Sequence, residues 1–304
     1  MRIPIVPEFA GLTTAEGEQI AQAAAAGLCQ MMGYRQKSPD PRHVILQKAI
    51  EVLARSGSTT VTVKTLQQLI SEMDESLTNE TEGYEEKHFK KLGQELLTLA
   101  HLHRRLLEGG EPLIVDHLLG HGTGSDRSRT RVTIINTQFL KDDATIDFWV
   151  AQFLLCVDRW RAQSPSPSLR ALFFFDEADR YLPAVGKPAT KAPMEGLLKR
   201  ARSSGVGIFL ATQSSGDLDY KCREQVLTWF IGRVKEPVAI AKLKPMLDRR
   251  PDAADKLAGQ TAGEFYLIQE NSVSPITACR NLLPTAQLSE ERILALSRAS
   301  VTAK

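Results

Sequence analysis

Beyond residue 130, short apolar runs alternate with helical segments, and this alternation constrains the fold more than any other feature of the sequence. The strand-like runs and the helical patterns between them are 131–136, 147–161, 169–175, 195–203 and 206–211. Parallel strands need long crossover connections, usually helices, and are buried on both faces, so they read as continuous apolar runs. The sequence therefore predicts an α/β domain over 131–304 with a mostly parallel sheet, in which 169–175 is a fully buried strand. Two later runs, 264–268 and 275–279, predict a terminal hairpin.

Residues before about 112 show helical periodicity instead. Thr13 and Glu16 have the spacing of a capping box, in which two side chains satisfy free backbone N–H groups at a helix start. The segments that follow are an alanine-rich run at 21–26, amphipathic patterns at 44–53 and 66–73, and a long helix from about 88 to 107. We expect an all-α domain over 1–112, with a solvated acidic connection at 72–86. A flexible loop is expected over 113–130.

Composition excludes several classes of protein. With 38 basic and 36 acidic residues the net charge is +2, so a nucleic-acid contact would need a local basic patch. Four widely spaced cysteines fit neither a zinc site nor a disulfide framework. The sequence has no signal peptide and no apolar run of roughly 18–20 residues, the length that crosses a membrane. We expect a soluble cytoplasmic protein with no membrane partner.

Two adjacent carboxylates, Asp176 and Glu177, follow the apolar run Leu172–Phe175. In α/β sheets, ligands bind beyond the carboxyl ends of the strands. Asp176 is predicted to hold Mg²⁺ through a water molecule, because this hard ion keeps much of its hydration shell. Glu177 is predicted to orient and deprotonate the water that attacks the γ-phosphate of ATP. The alternative is that both acids stabilise the N-terminus of the next helix.

A second apolar run ends in Ala211–Gln213. If the two strands are neighbours, Gln213 lies near Glu177. Its amide can then contact both the attacking water and the γ-phosphate, and so sense the state of the nucleotide. The alternative role for these polar residues is a helix cap.

A basic turn, Lys199–Gly205, separates the two runs. An arginine there could reach a neighbouring subunit and stabilise charge on the phosphoryl group. Arg202 is preferred to Arg200 for this role, and Arg233, after another short strand, is the second candidate. The alternative is that these cations complement a helix C-terminus and face solvent.

In order and spacing, these motifs resemble the HerA/FtsK superfamily of ATPases: Phe174–Ala178, Leu198–Gly207 and Ala211–Gln213. Further segments look like the bacterial HerA-like ATP-binding proteins: Tyr181–Pro183, Lys191–Pro193, Trp229–Arg233, Gly263–Tyr266 and Arg280–Leu283. The resemblance covers about 130–296, and more loosely 3–34. It implies a RecA-like, P-loop-NTPase-type sheet that uses ATP and Mg²⁺, with the site roles given above, in a hexameric ring through which double-stranded DNA passes.

One departure from this family is the absence of any G-x-x-x-x-G-K-[ST] phosphate-binding loop. Gly186-Lys187 is followed by Pro188, and the glycine-rich run at 120–125 has no lysine. In the family the P-loop precedes a helical insertion, and this chain begins close to that insertion. The chain therefore resembles the C-terminal portion of such a translocase, with the loop removed by truncation, a split gene or a domain boundary.

Three further interpretations remain. The chain could be a catalytically incompetent or regulatory ATPase-like subunit, or it could need a partner, namely an upstream polypeptide that bears the P-loop, or a nuclease.

Asp176–Asp179 also spells the DEAD-box helicase motif. However, Ala211–Gln213 replaces Ser-Ala-Thr, and Arg233 follows too soon for a second RecA-like domain. Asp179 is then expected to be a surface or capping acid. Without the P-loop, we expect the ATPase to be inactive alone.

Overall fold

The computed structural model describes residues 13–34, 40–56, 62–108, 112–121, 128, 130–140, 142–163, 165–270, 272–279 and 285–302. The chain divides into two compact units, Met1–Val226 and Leu227–Lys304. Among the described residues each unit contains one small sheet, and helices predominate. The domain boundaries proposed at residues 112 and 130 stay a prediction.

The first unit begins with six helices: α1 (Thr14–Met31), α2 (Pro41–Arg55), α3 (Val63–Ser71), α4 (Glu75–Glu80), α5 (Glu86–Leu102) and α6 (Arg104–Leu107). The predicted capping box is confirmed, since Thr13 and Glu16 exchange backbone and side-chain hydrogen bonds at the start of α1. The predicted long helix is divided at His103, which separates α5 from α6. Helix α4 lies within the acidic connection, and its Leu77 is completely buried. The prediction that this whole segment is solvated is therefore wrong.

Two more helices connect this bundle to the sheet: α7 (Val115–Leu119), which the sequence did not predict, and α8 (Asp143–Gln163). Helix α8 packs against α1. Ala21, Ala24 and Ala25 of the alanine-rich run in α1 are buried, and a Cβ added at Gly27 would lie 3.1 Å from the ring of Phe148. Small side chains on α1 therefore allow α8 to approach closely. Both Trp149 and Trp160 of α8 are buried.

The sheet of the first unit is the parallel pair β1 (Ala171–Phe175) and β2 (Val206–Leu210), with Phe175 opposite Leu210. Helices α9 (Ala178–Tyr181) and α10 (Lys191–Arg200) lie in the connection between them. The parallel pairing of these two predicted strands is confirmed. The predicted strand at 131–136 is wrong: the segment forms no ladder with the described residues, and Val132 and Ile134 are exposed.

The two faces of this pair differ in burial. Phe173 of β1 contacts Phe153 of α8, with ring centroids 5.9 Å apart. Leu172 and Phe174 point to the other face and are exposed, as is Phe209 of β2. The prediction of a strand buried on both faces is therefore wrong, because Leu172 and Phe174 on this second face are more than half exposed.

The second unit contains an antiparallel sheet of β3 (Thr228–Ile231), β4 (Glu264–Gln269) and β5 (Ser272–Thr277), in that order. Its helices are α11 (Pro237–Leu243), α12 (Pro251–Lys256) and α13 (Glu290–Thr302). The predicted hairpin is confirmed, with β5 beginning earlier than expected. Since one parallel pair accompanies two antiparallel pairs, the described strands do not form the mostly parallel sheet that was predicted.

Several predictions concern residues outside the described part of the chain. They include most of the glycine-rich run at 120–125 and the segment Arg280–Leu283. None of the helices in the described ranges combines the length and apolar character needed to span a bilayer.

Gly205 should be one of the least replaceable residues of the first unit. Its φ of +67° is unfavourable for residues with a side chain, and an added Cβ would lie 2.1 Å from the carbonyl oxygen of Ser168. Gly205→Ala should lower the free energy of unfolding by about 2–4 kcal/mol, through backbone strain and overpacking. Urea titration followed by tryptophan fluorescence measures this.

Gly186→Ala is the matched control, because its φ is +94° and nothing lies within 4 Å of the added Cβ. This variant should lose only about 1–2 kcal/mol, from backbone strain alone. Equal losses in the two variants would contradict the steric explanation.

Candidate functional site

The carboxyl ends of β1 and β2 meet at one edge of the sheet. Beyond the strands, the N–H of Ala211 donates to the Phe175 oxygen at 2.9 Å, and the N–H of Ala178 donates to the Ala211 oxygen at 2.8 Å. The residues that form these bonds in the first segment, Phe175 and Ala178, lie on either side of Asp176 and Glu177. In the second segment Gln213 follows Ala211 by two residues. All three side chains are exposed. The structure thus brings the acid pair and the amide to the same edge, while their catalytic roles stay predictions.

Glu177 has an unusual backbone, with φ 51° and ψ 47°, in the left-handed region that favours glycine. Its N–H donates to Oδ1 of Asp176 at 3.0 Å, and its carbonyl accepts the N–H of Arg180 at 3.0 Å as α9 begins. Non-glycine residues in this region carry strain and concentrate at functional sites. The turn holds the Glu177 carboxylate in solvent just past the strand.

A side-chain bond joins the two strand ends. The Thr212 hydroxyl donates to Oδ1 of Asp179, and the same hydroxyl oxygen accepts the N–H of Ser214 at 2.9 Å. Asp179 is half-buried in the first turn of α9, and the expectation of a surface or capping acid did not include its bond to Thr212. Because Thr212 precedes Gln213 and Asp179 follows Glu177 by two residues, this bond sets the separation of the two turns.

The segments beyond these turns are also tied together. The Asp219 N–H donates to the Leu182 oxygen at 2.9 Å, and the Ala184 N–H donates to the Asp217 oxygen at 2.7 Å. Nζ of Lys191, at the start of α10, forms an ion pair with Asp219 at 2.7 Å. Only 15% and 8% of these two side chains are exposed. These contacts therefore join the loop after the acids to the loop after the amide.

The electrostatics of Asp219 follow from this pairing. Burial by itself would raise the pKa of Asp219, but the hydrogen bonds from Lys191 and from the backbone N–H of Lys221 outweigh it and hold the pKa below its ordinary value of 3.8. Asp219 is therefore ionised in the folded protein at neutral pH, and its charge depends on Lys191.

Arg180 connects the acid pair to the helical bundle. Its guanidinium binds Asp143 at 2.7 Å and lies 3.6 Å from Asp147, both on α8. Asp147 in turn accepts Nε2 of Gln30 on α1 at 2.9 Å, and Oε1 of Gln30 accepts the N–H of Ala189 at 3.0 Å. Burial raises the pKa of Asp147, with the hydrogen bond from Gln30 opposing this. A continuous polar chain thus runs from the turn after Glu177 into α1.

The candidate arginines lie elsewhere. Arg202 stands in a 3₁₀ turn just before β2, at the sheet edge opposite Gln213, and is exposed. Arg200 forms an ion pair with Asp158 of α8 at 2.8 Å, whereas Arg202 forms none with another described residue. Arg202 is thus placed away from the acids of its own subunit. Arg233 is exposed two residues past β3, in the second unit.

The acid edge suits part of a magnesium–nucleotide site. No third His, Cys, Asp or Glu joins Asp176 and Glu177 within the described ranges. Mg²⁺ commonly takes one or two carboxylates and fills its remaining positions with water and phosphate oxygens, so these donors fit. The phosphate-binding half is different: Lys187, after Gly186, is exposed in a loop and does not open a helix, since α10 begins at Lys191.

A cavity of about 740 Å³ lies between α1, α8 and α10. Its walls include Gln22, His43, Asp158, Arg161 and Arg200. Burial lowers the pKa of His43. None of Asp176, Glu177 and Gln213 lines this cavity, so it is separate from the acid edge.

The bond between Thr212 and Asp179 should be measurable as a coupling energy. Hydrogen bonds to charged groups contribute about 1.5–3 kcal/mol, and half-burial reduces this, so a double-mutant cycle of Thr212→Val and Asp179→Ala should give about 1–2 kcal/mol. Urea unfolding of the four proteins supplies the cycle. Thr98→Val combined with Asp179→Ala should be additive, because Thr98 bonds only the carbonyl of Gln94 in its own helix. Additivity of Thr212 and Asp179 would refute the tie.

Removing Lys191 should have a strong and pH-dependent effect. Lys191→Met leaves Asp219 buried without its cation and should cost about 3–5 kcal/mol at pH 7. The lowered pKa of Asp219 stabilises the wild-type fold above pH 3.8, and this contribution is lost as pH falls through the folded value. The difference between variant and wild type should therefore shrink below about pH 4. The exposed neighbour gives the control: Lys187→Met should be near neutral at every pH.

No family model and no curated protein matches the sequence. Solved structures do match. VirB4 of Thermoanaerobacter pseudethanolicus aligns with a TM-score of 0.61 and 14% identity, over 92% of this chain and 74% of that one. The plasmid coupling protein TrwB, in complex with the ATP analogue ADPNP, aligns with a TM-score of 0.56 and 13% identity, over 89% and 70%. The chain therefore shares its fold with VirB4 and TrwB.

Proposed function

We propose that this chain is the acid- and sensor-bearing part of an ATP-driven, HerA/FtsK-like translocase that moves along double-stranded DNA. The observation that carries the proposal is the convergence of Asp176, Glu177 and Gln213 at one edge of a parallel strand pair. The fold shared with VirB4 and TrwB supports it, as does the binding of an ATP analogue by TrwB.

In this proposal the three side chains divide the chemistry. Mg²⁺ bound with ATP neutralises charge on the phosphates, and Asp176 holds it through water. Glu177, kept in solvent by its strained turn, orients the attacking water and accepts its proton. Gln213 contacts that water and the γ-phosphate. The Thr212–Asp179 bond fixes the position of the amide relative to the carboxylate. Loss of the γ-phosphate at Gln213 is therefore transmitted to the turn of Glu177.

Arg202 acts on a neighbouring subunit. Its position at the opposite sheet edge from Glu177 and its lack of an ion pair with described residues both favour action in trans, with Arg233 as the second candidate. A guanidinium supplied by a neighbour stabilises charge on the transferred phosphoryl group. This arrangement requires a ring, which we propose to be the hexamer that encloses DNA. The exposed cations of the second unit, Lys242, Lys244 and Arg249, would contact phosphates without reading sequence.

The phosphate-binding loop comes, in this proposal, from a polypeptide segment outside these 304 residues. The exposed acids and the exposed Arg202 favour this over the second candidate function, a regulatory subunit that does not hydrolyse nucleotide. The absence of the loop motif favours the second candidate. The two functions differ in whether Glu177 matters once a loop is supplied.

We expect the purified chain to hydrolyse ATP near the background rate, because loop amides and a lysine are needed to hold the β and γ phosphates. Adding the polypeptide encoded immediately upstream should restore hydrolysis that double-stranded DNA stimulates. Glu177→Gln should then reduce the rate by about 10²–10⁴-fold, the usual contribution of a general base. Phosphate release measures each rate.

Glu270→Gln is the matched control, because Glu270 lies in the turn between β4 and β5 of the second unit and also has a positive φ, of 49°. It should leave the restored rate unchanged. Robust turnover by the chain alone would overturn the need for a supplied loop. Restored hydrolysis that survives Glu177→Gln would support the regulatory function instead.

A further inference from the structure

The cavity between α1, α8 and α10 has the size of a ligand site. Its volume of about 740 Å³ falls within the roughly 300–1,000 Å³ that small-molecule pockets occupy. All of its walls belong to the first unit, and none of the residues to which the proposed function gives a chemical role lines it. What the cavity binds is therefore a question separate from that function.

Small side chains leave this space open. Helices α1 and α10 both pack against α8, but they make few direct contacts with each other. Where these two helices line the cavity, α1 carries Ala23 and Ala26, and α10 carries Ala192 and Gly196. None of these residues reaches across to the opposite helix, so the gap between α1 and α10 stays unfilled by the chain itself.

Part of the wall is apolar. Ile20 of α1, Leu155 of α8 and Pro193 of α10 line the cavity, and each of them is otherwise buried. An apolar group that entered the cavity would leave water against three helices at once, which is favourable in proportion to the area that it buries. Ligand pockets typically combine such a wall with a small number of polar groups that orient the ligand.

The polar groups of this cavity include a cluster with excess positive charge. Nε of Arg161 and Nη2 of Arg200 bind the two oxygens of Asp158, at 2.6 and 2.8 Å. One carboxylate therefore faces two guanidiniums. The Arg161 side chain is only 10% exposed, so water compensates its charge poorly. Glu16 acts on both arginines from a distance, because its carboxylate accepts the N–H and the hydroxyl of Thr13, at 3.0 and 2.8 Å.

The balance of charge over the whole wall has the same sign. Among the described residues, five Lys and Arg side chains and three Asp and Glu side chains line the cavity. Asp219 neutralises Lys191 from outside the wall, which leaves four cations against three acids. Arg200 uses one of its five N–H groups on Asp158, and Arg161 uses two, on Asp158 and Ser204. Donors therefore remain for an incoming oxyanion.

We propose that this cavity binds a small organic anion. The apolar body of the ligand packs against Ile20, Leu155 and Pro193, and its carboxylate, sulfonate or phosphate group accepts hydrogen bonds from Arg161 and Arg200. Guanidiniums suit such groups because they hold oxyanions with two parallel N–H donors. The charge of the wall selects against cations, and its apolar part selects against small inorganic anions. The bound ligand bridges α1 and α10, which have few contacts of their own.

The test uses the full chain and two fluorescent probes with the same aromatic body. The probe 8-anilinonaphthalene-1-sulfonate carries an anionic group, and N-phenyl-1-naphthylamine lacks it. The sulfonate should bind with a dissociation constant on the order of 10–100 µM, as expected for a ligand of this size. It should shift the methyl NMR signals of Ile20 and Leu155, but not those of Leu92, which is buried in α5. The neutral probe should bind at least tenfold more weakly, because it gains no charge-assisted hydrogen bond.

Two substitutions on α10 should change the affinity for the sulfonate in opposite directions. Arg200→Gln removes a cation from the wall and should weaken binding by about tenfold, the value of one hydrogen bond to a charged group. Glu195→Gln removes an acid from the same wall and should strengthen binding by about threefold, through the loss of repulsion. Neither change should alter the affinity for the neutral probe.

A substitution that fills the space supplies a test without a change of charge. Ala23→Leu places a larger side chain in the cavity and should abolish binding of both probes. The matched control is Ala15→Leu, at an exposed alanine of α1 that does not line the cavity, and it should leave binding unchanged. Circular dichroism verifies that each variant is folded.

Several outcomes would overturn the inference. Equal affinity for the two probes, or an affinity for the sulfonate that Arg200→Gln leaves unchanged, would refute an anion site. Binding that survives Ala23→Leu, or methyl shifts confined to residues outside the wall, would locate the probe elsewhere on the molecule. The proposed function stands or fails separately, because these titrations involve neither ATP nor its hydrolysis.

Discussion

The parallel pairing of β1 with β2 is the constraint on which the candidate site depends. A parallel register puts both carboxyl ends at one edge, so the carboxylates after Phe175 and the amide after Ala211 share that edge. The ladder continues past the strands through Ala178 and Ala211, which leaves Glu177 between two backbone hydrogen bonds. Its left-handed backbone persists because these bonds hold the residues on either side. The same pairing places Arg202 at the other edge, away from Asp176, Glu177 and Gln213.

Polar contacts around this edge connect the two loops to each other and to the helices α1 and α8. Thr212 with Asp179 joins the turns, and Lys191 with Asp219 joins the segments behind them. Each pair is at least half-buried, so removing one partner leaves a desolvated carboxylate without its hydrogen bond or counter-charge. Arg180 extends the connection through Asp147 to Gln30 on α1. A change at the acid edge therefore has a physical route into the helical bundle.

The residues at the acid edge supply only part of what a magnesium–nucleotide site needs. The acids have the donors for a hydrated Mg²⁺, but phosphates need backbone amides at the start of a helix. A loop that supplies them, in a parallel sheet, follows a strand and precedes a helix.

The sequence by itself determined the elements whose causes are local. Thr13 and Glu16 begin α1, the apolar runs form β1 and β2, and the alternating run at 264–268 forms one strand of the hairpin. Each of these elements follows from residues that are close in the sequence. It also predicted that Asp176, Glu177 and Gln213 share an edge, because strand neighbours were inferred from their order. Tertiary structure alone decided which polar residues pair: Thr212 with Asp179 and Lys191 with Asp219 are separated by about thirty residues, and no periodicity encodes them. It also decided that Leu172 and Phe174 are exposed and that 131–136 pairs with no described strand, because burial and pairing depend on which other segments pack against a strand.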